Sequence, residues 1–343
     1  MSSPKWWQIA CGSAGRDYAD YFLKFGMAFV GGQKNIDQMR LVEAGDHMIL
    51  KRGTSSILAV GLVTEAWNED EAKHWLRDVD GWDLRANCRV KWHEVDENGG
   101  RTVTGLTRST LQRVHQQELI NVARELMENN SVDKDRRETD VAEPKPTEKI
   151  GEEELLSFLV REGLRPGSAS ELSRALQRIR LLADYYYSDP GFRWDDVREH
   201  ETRSFLIVPL MLALGWSEQQ IKIELPAGGQ KRADMAFFAR PYRRDPDDCV
   251  LILESKGFSQ GLTYARDQAE NYANNFINCR TIVVSNGYCY KAFERDRETQ
   301  EFPTEPTAYL NVRDPRRNYP LDPQRGGALE TLKLLWPGTY LTT

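Results

Sequence analysis

Cysteine is sparse in this chain and follows no pairing pattern. The 343 residues include five, Cys11, Cys88, Cys249, Cys279 and Cys289, an odd number with no CxxC spacing. That excludes a disulfide framework and points to free thiols in a reducing cytoplasm. Histidine is equally scarce: His47, His74, His93, His115 and His200 are scattered and form no HExxH, which argues against a zinc hydrolase. No stretch approaches the roughly 20 apolar residues of a membrane span, and the opening MSSPKWWQIACGSAG has no signal-peptide apolar region. No GxxxxGK[ST] loop occurs, and GGQK at 31–34 and GGQKR at 228–232 lack the spacing that cradles a nucleotide, so no nucleotide cofactor is expected. A basic excess is missing too, because the formal net charge is −6.

What is present divides into segments of different character. At 40% hydrophobic residues the chain can bury two cores. The clearest boundary is ENNSVDKDRRETDVAEPKPTEK, with almost no large apolar residues and two prolines, which reads as a charged linker over 129–150. Residues 1–128 then form one domain, 151–195 a helical connector and 196–343 a second domain. In the connector, EEELLSFLVREGL and SASELSRALQRIRLLADYYYS have helical spacing, the second with Ser168 or Ser170 as its cap. LETLKLLW near the C-terminus is expected to dock as a final helix. In the first domain KWWQIACG and GMAFVGG read as strands, DHMILKRG and SSILAVGLVTEAW as a hairpin-like pair, and RVKWHEV as a further strand. The expected fold class is therefore a two-domain α/β protein, with a small mixed β-barrel first.

The chemistry-bearing residues lie in the second domain. KRADMAFFA carries Asp234, and CVLILESKG runs through five apolar residues before turning to Glu254, Ser255 and Lys256. Both acids should stand at the ends of buried strands, where charge persists only if something offsets its desolvation. Glu254 and Lys256 alternate, so they share one face of the strand. Two carboxylates suit an oxygen-ligand cation such as magnesium or manganese, and a neighbouring ammonium suits orienting a water and stabilising charge on a phosphate. Basic residues flank this region: Lys231, Arg232, Arg240, Arg243 and Arg244 around the Asp234 strand, and Arg161, Arg165, Arg174, Arg178 and Arg180 upstream. A local basic surface is all that phosphate contacts need, whatever the net charge.

Taken in order, these pieces resemble the PD-(D/E)XK restriction-endonuclease-like superfamily, and within it the nuclease domain of type I restriction R subunits, over residues 196 to 295. HETRSFLIVPLMLALGW, with helical periodicity in Phe205, Val208, Leu212 and Trp216, matches the first helix, where Glu201 matches the family's acid. IKIELPAG, RADMAFFA and LILESKG match the three strands, with Asp234 and Glu254 as implied metal ligands and Lys256 as the implied catalytic lysine. SQGLTYARDQAENYANNF matches the following helix, where Gln268 corresponds to a glutamine used beside the metal, and TIVVSNGYCYKAFE matches a strand, an Asn-Gly turn and a strand. Ala233 stands where the family often has proline. No ATP-driven motor accompanies the nuclease in this chain.

The first domain resembles the PUA-like superfamily, in its EVE and YTH-like branch. The likeness rests on a Trp-bearing first strand, a Gly-rich turn, Gly45-Asp46 before a strand, and the glycine-containing strand AVGLV. It implies a pocket for a modified base, with Trp7, Phe29, Trp67 and Trp82 as candidate cage residues and Asp46 or Asn35 as edge readers. Together the resemblances imply a modification-dependent restriction endonuclease of the cytoplasm. It would act on modified double-stranded DNA, with magnesium or manganese as cofactor, as a homodimer because two strands are cut. The alternatives are an RNA-directed fusion of the same two domains and a non-catalytic nucleic-acid binder.

Overall fold

The computed structural model describes residues 3–12, 15–71, 73–95, 100–130, 143–188, 197–226, 232–243 and 245–341. The chain divides into two compact units, Met1–Pro144 and Lys145–Thr343, each built on one sheet, so the protein is mixed α/β. No helix among the described residues is long and apolar enough to cross a membrane.

In the first unit, short runs rich in apolar, β-branched and aromatic residues give strands β1 (Trp6–Ala10), β2 (Met27–Val30), β3 (His47–Arg52), β4 (Ser56–Glu65), β5 (Ala86–Glu94) and β7 (Leu111–Val114), with a two-residue β6 (Arg101–Thr102) between the last two. Helices α1 (Ala19–Lys24) and α2 (Gln33–Met39) follow β1 and β2, and α3 (Gln117–Asn130) follows β7. The sheet order is β2-β5-β4-β3-β1-β7, with β6 beside β4; β1 runs parallel to β3. Among the described residues the hydrogen-bonded path of this sheet has two ends, β2 and β7. Leu119, Ala123 and Leu126 recur on one face of α3 and pack with Trp6, Ile49, Ile57 and Val60. Helix α3 continues through Asn130, past the expected domain end at 128. Glu143, in the stretch expected as linker, accepts hydrogen bonds from Lys73 (2.6 Å) and from Arg89, which ties it to this unit. Residues 131–142 lie outside the described residues.

The second unit opens with α4 (Glu152–Glu162) and α5 (Pro166–Ser188). Helix α5 starts two residues before Ser168, because Pro166 at its first position has a φ suited to a helix and needs no N–H partner there. Ser168 and Ser170 therefore lie inside the helix and do not cap it. Next come α6 (Glu199–Thr202), a π-helical turn (Arg203–Ile207) and α7 (Val208–Ala213) as one continuous helical segment. Pro209 lacks an N–H and crowds the carbonyl of the preceding turn, which accounts for the local widening. Then follow β8 (Ile221–Pro226), β9 (Arg232–Phe238), β10 (Cys249–Ser255), α8 (Ala265–Ala273), β11 (Thr281–Ser285) and β12 (Cys289–Glu294). The element order of helix, three strands, helix and two strands is the one expected from the sequence. Beyond it, β13 (Ala308–Asn311), β14 (Asn318–Tyr319), β15 (Asp322–Gly326), α9 (Ala328–Leu335) and α10 (Gly338–Leu341) complete the unit.

The sheet order is β14-β15-β13-β12-β11-β10-β9-β8. Strands β10 and β11 are parallel and joined through α8, whereas β8, β9 and β10 pair antiparallel. All of β10 is buried, as its unbroken apolar run implies. The β11–β12 turn brings Gly287 against the first helical segment at φ +94°; a Cβ there would meet Leu206 Cδ1 at 2.5 Å and Thr202 Cγ2 at 2.7 Å. Only glycine combines that backbone with that approach.

Candidate active site

Three adjacent strands deliver carboxylates to one level of the sheet. Leu253 on β10 pairs with Met235 on β9, which sets Glu254 alongside Asp234. Ile223 and Leu225 on β8 pair with Met235 and Ala233, which sets Glu224 across from Asp234 on the other side. Asp234 is fixed by its Oδ2, which accepts the Ser255 backbone N–H at 2.7 Å and the Ser255 hydroxyl at 2.8 Å. Glu254 is only 1% exposed; its Oε1 accepts from Lys256 Nζ at 2.7 Å, and its Oε2 is buried with no hydrogen-bond partner among the described residues.

Lys256 is held from two sides. Its ammonium also donates to Gln268 Oε1 at 3.1 Å, and the Gln268 amide donates to the Tyr272 hydroxyl at 3.1 Å. Gln268 and Tyr272 stand one turn apart on α8, so the helix supplies a relay that orients the lysine. The sequence reading named Gln268 but missed Tyr272, whose i+4 spacing was the available signal.

The first helix contributes Glu199, and the structure does not bring Glu201 to the cluster. Buried positions on that segment are Thr202 and Arg203, Leu206 and Ile207, Leu210 and Met211, and Leu214, while Phe205 is 47% exposed. Of the expected stripe Phe205, Val208, Leu212 and Trp216, Trp216 is buried, Val208 and Leu212 are half-buried and Phe205 is exposed, because the segment is apolar nearly all round and its pattern alone does not fix a face. Glu199 lies four residues before Arg203, on the buried face, and Arg203 Nη2 donates to Glu199 Oε1 at 3.1 Å and to Asp234 Oδ1 at 3.3 Å. Glu201 points elsewhere and accepts the Arg198 backbone N–H at 2.9 Å, closing the helix N-terminus.

Crowded carboxylates resist ionisation together. Burial, with Asp234 and Glu199 nearby, pushes the Glu254 carboxyl up to about 7, against the opposing pull of Lys256. Burial and Asp234 likewise raise Glu199, with Lys256 and Arg203 opposing. Such a set favours a cation brought among the oxygens.

A hard divalent cation fits these donors. Asp234 and Glu254 offer carboxylate oxygens, one of them the unpartnered Glu254 Oε2. Magnesium is held through one or two carboxylates, its remaining positions going to water and substrate. Among the described residues no group of three or more His, Cys, Asp or Glu side chains forms a closed metal cage, which limits the fit to a cation that takes few protein ligands.

The basic residues do not gather at this site as a group. Arg232 is exposed near Glu224 at 4.0 Å. Arg240 and Arg243 are exposed beyond the other end of β9, which carries the chain about 13 Å from Asp234 to Phe238. Lys231 and Arg244 lie outside the described residues.

In the first unit, the residues expected to read a base have definite settings. Trp7 is buried and donates its indole N–H to Asp46 Oδ2 at 2.8 Å; Asp46 also accepts the backbone N–H groups of Lys5 (2.8 Å) and Glu43 (3.1 Å). This pair serves the fold's own hydrogen bonding. Phe29 is buried against Phe22, Tyr18 and Trp75, with ring centroids 4.2, 6.3 and 5.9 Å away. Trp82 is buried beneath the Arg16 guanidinium at 3.7 Å, Trp67 is half-buried with Arg40 at 5.6 Å, and Asn35 donates to the Gly31 carbonyl at 2.9 Å. Phe29 and Trp82 neighbour residues that the sequence reading did not single out, Tyr18 and Arg16 among them. Comparison with protein-family models finds none that matches this chain, and comparison with curated proteins finds no matching sequence.

Proposed function

We propose that the protein is a magnesium-dependent endonuclease of the PD-(D/E)XK kind, directed to DNA carrying a modified base by its first, PUA-like unit. The observation that carries the reading is the meeting of Asp234, buried Glu254 and Lys256 at adjacent strand ends, with one Glu254 oxygen unpartnered and its carboxyl pushed up to about 7. A surface ion pair has no cause to sink a glutamate into the sheet core, since exposed pairs contribute little to stability.

Asp234 and Glu254 would hold the cation, and Ser255 fixes the orientation of Asp234. A bound magnesium would offset charge growing on the phosphate. Lys256, on the same face as Glu254 and steadied by Gln268, is set to orient the attacking water and to donate to the developing oxyanion. Cutting both strands requires two such centres, hence two copies of the chain. Sparing unmodified DNA while attacking modified DNA would suit a defence against foreign genomes.

The test is incubation of the protein and magnesium with plasmids that differ only in base modification, alongside structured RNA. Cleavage confined to a modified DNA is expected. Cleavage of RNA alone would transfer the activity to RNA, and equal cleavage of all DNAs would remove the modified-base role from the first unit.

A further inference from the structure

Arg203 is a buried guanidinium placed between two sets of carboxylates. On one side its Nη2 contacts Glu199 Oε1 at 3.1 Å and Asp234 Oδ1 at 3.3 Å, while its Nε donates to Ser255 Oγ at 3.3 Å. On the other side its Nη1 lies 3.8 Å from Glu224 Oε1, and Glu224 is 60% exposed. The β8–β9 register sets Glu224 across from Asp234, so a small shift of the guanidinium trades one set for the other. Glu224 also has φ +53°, a left-handed backbone that a glutamate adopts only where its surroundings hold it there. Arg203 itself opens the π-helical turn, where the regular hydrogen-bond ladder is loosened.

We propose that Arg203 is a built-in competitor for the divalent cation, and that Glu224 is the acceptor to which it retreats when the cation binds. The proposal rests on the reading of the acidic cluster as a cation site and adds what sets its affinity. A buried guanidinium and a divalent cation repel one another strongly at Asp234 Oδ1, so both cannot occupy it. A buried charge that loses its partners is costly, so the guanidinium needs another carboxylate within reach. Glu224 is that carboxylate. Arg203 is then a positioning residue that tunes the site through Asp234 and Glu199, and the exchange reserves those carboxylates for a cation strong enough to displace it.

Calorimetric titration of the full chain with Mn2+ or Ca2+ reads this directly, without any turnover. Arg203→Gln should bind the cation about tenfold more tightly, because its competitor is gone. Glu224→Gln should bind it several-fold more weakly, because Arg203 has nowhere to go. The double variant should match Arg203→Gln, since Glu224 acts only through the guanidinium. Unchanged or weaker binding in folded Arg203→Gln overturns the proposal. So does a double variant weaker than Arg203→Gln by the full effect of Glu224→Gln, which would make Glu224 a direct contributor. Should Arg203→Gln fail to fold, Arg203→Lys keeps the charge but contacts fewer oxygens and should bind more tightly than the unaltered chain; no gain there together with no loss in Glu224→Gln also overturns it. If the unaltered protein binds neither cation, the cation-site reading itself falls, an outcome distinct from failure of the exchange alone.

Discussion

Replacing Glu254 with glutamine should make the cation-free protein more stable at alkaline pH. The folded state holds the Glu254 proton up to about pH 7, against an ordinary 4.5. Below pH 4.5 the carboxyl is protonated folded or unfolded, and no penalty exists. Between 4.5 and about 7 the unfolded chain ionises first, so stability falls as pH rises; above 7 the full penalty of about 3 kcal/mol is in place. Glutamine stays neutral like the protonated carboxyl and so removes the whole penalty, in which the opposing pull of Lys256 is already included. The net expectation is a gain of about 3 kcal/mol at pH 8 that shrinks towards zero at pH 4.5. Urea unfolding of both proteins across that range measures it. Saturating magnesium should reverse the order at pH 8, because a ligand at 1,000 times its Kd adds about 4.1 kcal/mol to the protein that binds it. A stability difference independent of pH would refute the account of Glu254 as a buried carboxyl among like charges.

Other changes separate the residues of the site. Glu199→Gln should alter divalent-cation affinity in calorimetry with little loss of stability, whereas Glu201→Ala should cost about 1 kcal/mol in unfolding experiments through the lost helix cap and leave cation affinity unchanged. Tyr272→Phe deletes the hydroxyl that holds Gln268 and should lower kcat about tenfold with KM near constant, an expectation checked by steady-state nicking kinetics. Gly287→Ala sets a Cβ 2.5 Å from Leu206 at φ +94° and should destabilise the fold by about 2 kcal/mol or more in thermal unfolding, with the loss centred on the second unit.

Much of the strand framework could be read from sequence because buried strands leave a plain record. CVLILES is an apolar run that ends in charge, and the structure buries all of it with Glu254 at its end. The alternation of Glu254 and Lys256 put both on one face, and their 2.7 Å contact follows from it. The first helix was less readable. Its residues are apolar on most sides and its π turn breaks the regular period, so the expected phase failed at Phe205 and Glu201 drew attention that belongs to Glu199. Nearness in sequence does not place Arg240 and Arg243 beside Asp234, because an extended strand carries residues apart by its own length. Trp7 shows a further limit: composition reveals an aromatic but not whether its indole N–H serves a ligand or, as here, a buried aspartate.

The most direct test of the central claim is nicking and linearisation of a modified supercoiled plasmid by the full chain. Magnesium and EDTA conditions would be run side by side with Asp234→Asn and Lys256→Ala. The account predicts magnesium-dependent cutting that both substitutions abolish while DNA binding persists. Full cutting by either variant, or cutting undiminished in EDTA, would contradict it.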